Sequence, residues 1–159
     1  MDVRTILVPI DSSKCSEKAF TWALALAEQW HARMILLHVV PVPAYPPHIR
    51  ETHFDPAEFE TAITANAEAR TKEFVPYAGS GAVSIDTKII LGQPCNDICQ
   101  VAEQEKADLI VMGSHGRSGV SQVLLDSVAE RVVQQASCPV LVVGKKAQAY
   151  QGMGAESGQ

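Results

Sequence analysis

Gly113-Ser114-His115-Gly116-Arg117-Ser118-Gly119 places three glycines in seven residues directly after an apolar run. Glycines at that density permit positive φ and close backbone approach, which is how a nest of N–H groups forms around an anion. Arg117 either adds a charge-assisted contact to that anion or stands as a solvated loop arginine. A little further on, Ser127-Val128-Ala129-Glu130 fits the S-x-x-E capping box and sets a helix start at Ser127. Free N–H groups and the helix dipole favour negative charge there, so loop and helix start would converge as a phosphate site requires. Asp126 puts a carboxylate immediately before that helix. At the other end of the chain, Pro9-Ile10-Asp11 closes an apolar run and is followed by Ser12 and Ser13. Asp11 can accept hydrogen bonds from a ribose hydroxyl or an adenine amino group, or it can cap the next helix together with the serines.

Other chemistry is poorly supplied. The glycine-lysine phosphate loop of P-loop enzymes is absent, and no nucleophile or partner carboxylate can be tied to His115, so no catalytic residue is assigned. Cys15, Cys95, Cys99 and Cys138 form no CxxC pair; Cys95 and Cys99 lie one helical turn apart, but no accompanying motif completes a metal site. They are expected to be reduced thiols.

The elements that position these residues follow from alternating apolar runs and amphipathic stretches, the pattern of a parallel sheet wrapped by helices. Val3–Pro9, Met34–Val40, Val83–Leu91, Asp108–Met112 and Val140–Val143 read as five strands, several apolar on both faces. A first helix follows a Ser12 or Ser13 cap and buries Ala19, Phe20, Ala23, Leu24 and Ala27. A second runs from Pro56 to about Tyr77, a third follows Pro94, and a fourth spans Val128 to about Ala136. Between Pro41 and Pro56 the chain is Pro-rich and reads as an irregular excursion. Right-handed crossovers restrict five such strands to a doubly wound, Rossmann-like or flavodoxin-like α/β sheet, whose ligands bind beyond the carboxyl ends of the strands.

The 159 residues fit one domain, covering 1–144, with a polar tail over 145–159 that has no periodicity and is expected to fray. A net charge of -5 argues against a nucleic-acid surface. The N-terminal residues fit no signal peptide, and no apolar run approaches the ~20 residues that span a bilayer, which points to the cytoplasm.

VPIDSS, LLHVV, ADLIVMGSHGRSG and SVAERVVQQASCPVLVV together resemble the universal stress protein family over nearly everything from Val3 to Gly144. The resemblance implies a sheet ordered 3-2-1-4-5 with two helices on each face, a stress-response or regulatory role, and binding of ATP, ADP or AMP, with Mg²⁺ as a companion. It also implies a homodimer joined through the last strand, Pro139 to Val143, an apolar edge of the kind that invites pairing. Nucleotide-binding members carry Gly-x-x-Gly, nine residues, then Gly and Ser or Thr. Gly113 and Gly116 match, nine residues run from Arg117 to Leu125, and Ser127 matches the hydroxyl position. By the same resemblance Asp11 would meet the ribose, Pro9, Ile10, Val39 and Met112 would line the adenine pocket, and Ser127 and Val128 would face the phosphates.

The third glycine of the motif is Asp126. A carboxylate there adds bulk and like charge: two unit charges 4 Å apart repel by about 4 kcal/mol at an effective dielectric near 20, against about 8 kcal/mol for a micromolar affinity. Two rival readings therefore stand beside a nucleotide-binding regulator. One is a nucleotide-free dimeric scaffold whose phosphate site is blocked by Asp126; the other is a slow ATP hydrolase, for which no general base or metal cluster argues. The binding reading expects Gly113→Val and Asp11→Ala to lose nucleotide with the fold intact.

Overall fold

The computed structural model describes residues 2–42, 55–74, 81–114 and 128–150. Five strands and four helices alternate along the chain: β1 (Thr5–Pro9), α1 (Lys14–Trp30), β2 (Arg33–Pro41), α2 (Pro56–Lys72), β3 (Ile85–Gly92), α3 (Pro94–Gln104), β4 (Leu109–Gly113), α4 (Val128–Gln135) and β5 (Val140–Val143). The strands form one parallel sheet in the order β3-β2-β1-β4-β5. β1 and β4 thus lie side by side near the centre, where the order reverses; in sheets of this kind ligands bind beyond the carboxyl ends of the strands at that point.

Strand composition follows position in the sheet. All five residues of β1 are buried, because helices cover both faces of a central parallel strand. The edge strands β3 and β5 carry exposed residues instead. Side chains alternate across the sheet. Ile6, Val8, Met34 and Leu36 pack beneath Ala19, Phe20, Ala23 and Ala27 of α1, with Phe74 just past α2. The rings of Phe20 and Phe74 meet edge to face at 5.5 Å. On the opposite face Leu7, Ile35, Leu37 and Ile110 pack against Ile98 and Val101 of α3 and Val132 of α4. Two helices on each face is the arrangement that right-handed crossovers require for this strand order.

At the amino ends of the strands, polar contacts tie the sheet together. Asp108 accepts the backbone N–H groups of Arg4 and Thr5 at 2.9 and 3.0 Å. Glu105, at the end of α3, pairs with Arg33 of β2 at 3.1 Å and with Lys88 of β3. These two cations hold its carboxyl below the usual range, the hydrogen bond from Lys88 being the larger cause.

Element boundaries differ slightly from the sequence reading: α2 ends at Lys72, and residues 75–80 are outside the described set. Lys145 to Tyr150 runs back along α1, where Trp22 Nε1 donates to the Gln148 carbonyl at 3.0 Å and the Tyr150 N–H to Thr21 Oγ1 at 3.0 Å. Trp22 and Tyr150 stack edge to face, and Ala147 joins the apolar cluster under α1. Residues 151–159 and the Pro-rich segment 43–54 lie outside the described residues.

Candidate functional site

The carboxyl ends of β1, β2 and β4 bring the described part of the predicted site to one edge. Past Pro9 the ladder continues, since the Ile10 N–H donates to the Leu37 carbonyl at 2.9 Å. The register pairs Pro9 with Leu37, so Val39 stands just beyond the end of β1. Val39 and Met112 are nine-tenths buried in one apolar cluster on the α3–α4 face. Ile10 is equally buried but belongs to the cluster on the α1 face. The pleat therefore separates Ile10's side chain from Val39 and Met112, leaving its backbone at the shared edge.

Asp11 begins the corner between β1 and α1. Its Oδ1 accepts the Ser13 N–H at 3.0 Å, and Ser13 is the helix cap, its Oγ accepting the Ser16 N–H at 3.2 Å. The shared-cap reading thus resolves into two jobs: Asp11 braces the corner and Ser13 caps the helix. Ser12 does neither. It has a left-handed backbone, φ 62°, and its Oγ is buried with no hydrogen-bond partner.

Gly113 ends β4, and the Ser114 N–H continues the ladder to the Val143 carbonyl at 2.9 Å. Its lack of a side chain is explained by packing, not by a positive φ, because Gly81 is the sole described glycine in that region. A Cβ placed at Gly113 would lie 2.8 Å from Cys15 Cβ and 2.9 Å from the Cys15 carbonyl carbon. The first turn of α1 rests directly on the end of β4. This corrects the expectation that Gly113→Val would leave the fold intact.

Val128 opens α4 and is exposed, while Ala129 and Val132 turn into the core. Gly116, Arg117, Asp126 and Ser127 lie outside the described residues, as does His115. The structure thus assembles Pro9, Asp11, Val39, Met112 and Gly113 at one edge, with Ile10 contributing backbone. Sequence reasoning missed Ser12 as anything but a rival cap; its conformation has no signature in residue type.

Charge and thiol chemistry elsewhere is muted. All four cysteines are free. Burial pushes the Cys99 thiol up, with neighbouring Cys95 adding to it, and burial does the same to Cys138. Among the described residues no three His, Cys, Asp or Glu side chains are grouped to hold a metal, and no helix is long and apolar enough to cross a membrane. A groove of about 520 Å³ lies between α2 and Leu91, lined by Ala57, Glu60, Thr61, Thr64, Ala65 and Glu68. It contains none of the predicted nucleotide residues, and its two glutamates would repel an anion.

A doubly wound parallel domain with an acidic side chain and an apolar wall at its switch point belongs to the class whose members bind small ligands at the carboxyl edge. The chain is a member of the universal stress protein family, whose model matches residues 2–144. It is 35% identical over 142 residues to a universal stress protein of Methanocaldococcus jannaschii, covering 89% of this chain and 82% of that one. The solved universal stress protein UspA of Lactobacillus plantarum superposes with a TM-score of 0.78 at 31% identity, over 90% of this chain and 99% of that one. A universal stress protein solved in complex with cAMP superposes with a TM-score of 0.59 at 27% identity, covering 90% and 98%.

Proposed function

We propose that this protein is a cytoplasmic stress-response regulator that binds ATP or a related adenine nucleotide at the carboxyl edge of β1, β2 and β4. The observation that carries the reading is the juxtaposition, at the switch point between β1 and β4, of the braced Asp11 carboxylate with the Val39–Met112 wall. The similarity to a relative solved with cAMP supports an adenine nucleotide as ligand class. Asp11 takes the ribose hydroxyls; Pro9, Ile10, Val39 and Met112 enclose the base. Gly113, Gly116, Arg117, Ser127 and Val128 serve the phosphates. Any Mg²⁺ arrives on the nucleotide, held mainly by its phosphate oxygens.

The protein works as a homodimer joined through β5. In support, β5 is an edge strand whose Leu141 and Val142 are exposed, and Val133 of α4 is exposed as well. An apolar, unpaired edge is suited to pairing with a second copy.

Asp126 favours a second reading, the nucleotide-free scaffold, because in the sequence an aspartate takes the position of the motif's third glycine. Calorimetric titration of ATP with Mg²⁺ into the nucleotide-stripped protein and its Asp126→Gly variant separates the two. Micromolar binding by both supports the nucleotide reading. Binding by the glycine variant alone establishes the scaffold, and binding by neither removes the nucleotide site altogether. No observation favours the hydrolase.

A further inference from the structure

Three non-glycine residues among those described have left-handed backbones: Ser12, His31 and Lys106. Two have an ordinary reason. His31 and Lys106 each follow a helix, and the next N–H reaches back five residues, Ala32 to the Ala27 carbonyl at 3.0 Å and Ala107 to the Ala102 carbonyl at 2.8 Å. That is the usual left-handed helix ending. Ser12 instead precedes a helix, where the residue before the cap has no need of this conformation. It also hides an unpartnered hydroxyl. Two local costs at one residue persist only where the surroundings over-determine them, and such residues gather at functional sites.

The surroundings do over-determine Ser12. On one side Asp11 Oδ1 is fastened to the Ser13 N–H. On the other, Ser13 is fastened to Ser16, and the first turn of α1 is pressed onto Gly113. A residue with a Cβ has only a small left-handed well, whereas glycine would range widely at the same place. The side chain at position 12 therefore narrows the corner to one geometry, and that geometry sets where the Asp11 carboxylate stands.

We infer that Ser12 is a positioning residue of the nucleotide site, whose constrained left-handed backbone holds Asp11 in the orientation that reads the ribose hydroxyls. The inference rests on the nucleotide reading above. It predicts a trade between stability and recognition, because relaxing the corner relieves cost while loosening Asp11.

The test uses adenosine and 2′,3′-dideoxyadenosine as probes, so that Asp126 and the phosphates play no part, and three proteins: the parent, Ser12→Gly and Ser12→Ala. The parent prefers adenosine. Ser12→Gly melts about 3 °C higher, yet its adenosine affinity falls about tenfold, the scale of one lost charge-assisted hydrogen bond, to that for the dideoxy compound, which is unchanged. Ser12→Ala removes the sealed hydroxyl but keeps the Cβ; it melts higher and retains the parent's preference. A merely structural Ser12 would move the melting temperature and leave the preference alone. Unchanged preference in Ser12→Gly overturns the inference by itself. A parent that binds neither probe overturns the nucleotide reading and the inference with it.

Discussion

Asp11 and Gly113, both assigned to the proposed site, sit at the ends of neighbouring central strands and are tied to the same helix start, through Ser13 and Cys15. Gly113→Ala puts a methyl group inside contact distance of the α1 backbone, which cannot yield as a side-chain tip could. It is expected to destabilise the protein by about 1–3 kcal/mol, the usual cost of overpacking, read as a lowered midpoint in urea unfolding. An unchanged midpoint would mean that α1 can slide away from β4. The position of both residues is legible in the sequence because each closes an apolar run. The reason for Gly113 is not, since Cys15 is distant along the chain and only the folded sheet brings it near. Ser12 is illegible for a different reason: serine has no preference for the left-handed region, so the conformation is imposed by its neighbours.

Strands and helices were readable from periodicity wherever burial is one-sided or complete, as in β1, β2 and α1. The segment from Lys145 to Tyr150 was not, because what fastens it is Trp22, Thr21 and backbone carbonyls on α1, partners that no local pattern announces. A second link between elements has a pH signature. Glu105 joins α3 to β2 and β3, and its carboxyl is held below the ordinary value of about 4.3 by Lys88 and Arg33. A lowered carboxyl stabilises the fold at pH above its unfolded value, and that stability disappears as the pH falls through the lower folded value. Glu105→Gln is therefore expected to lower the denaturation midpoint near neutrality, with the gap to the parent closing below pH ~4. A gap independent of pH would show that the two ion pairs contribute nothing through charge.

At the scale of the molecule, handedness narrows five parallel strands and four crossovers to a few topologies, and the resemblance to the family selects the order 3-2-1-4-5 among them. The order leaves two edge strands, β3 and β5, and the proposed dimer uses the β5 edge. Substituting lysine for Val142, which lies in β5 and is half exposed, is expected to convert the proposed dimer to monomer in sedimentation velocity while the melting of each chain changes little, because charge on an edge strand opposes pairing. A dimer that survives the lysine would place the interface elsewhere. The central claim is the nucleotide edge itself, and the most direct measurement is calorimetric titration of ATP into the nucleotide-stripped protein beside Asp11→Ala. Saturable binding in the parent, weakened at least about tenfold in Asp11→Ala by loss of a charge-assisted contact, is the result predicted here. Equal affinity in both proteins, or no binding in the parent, would contradict it.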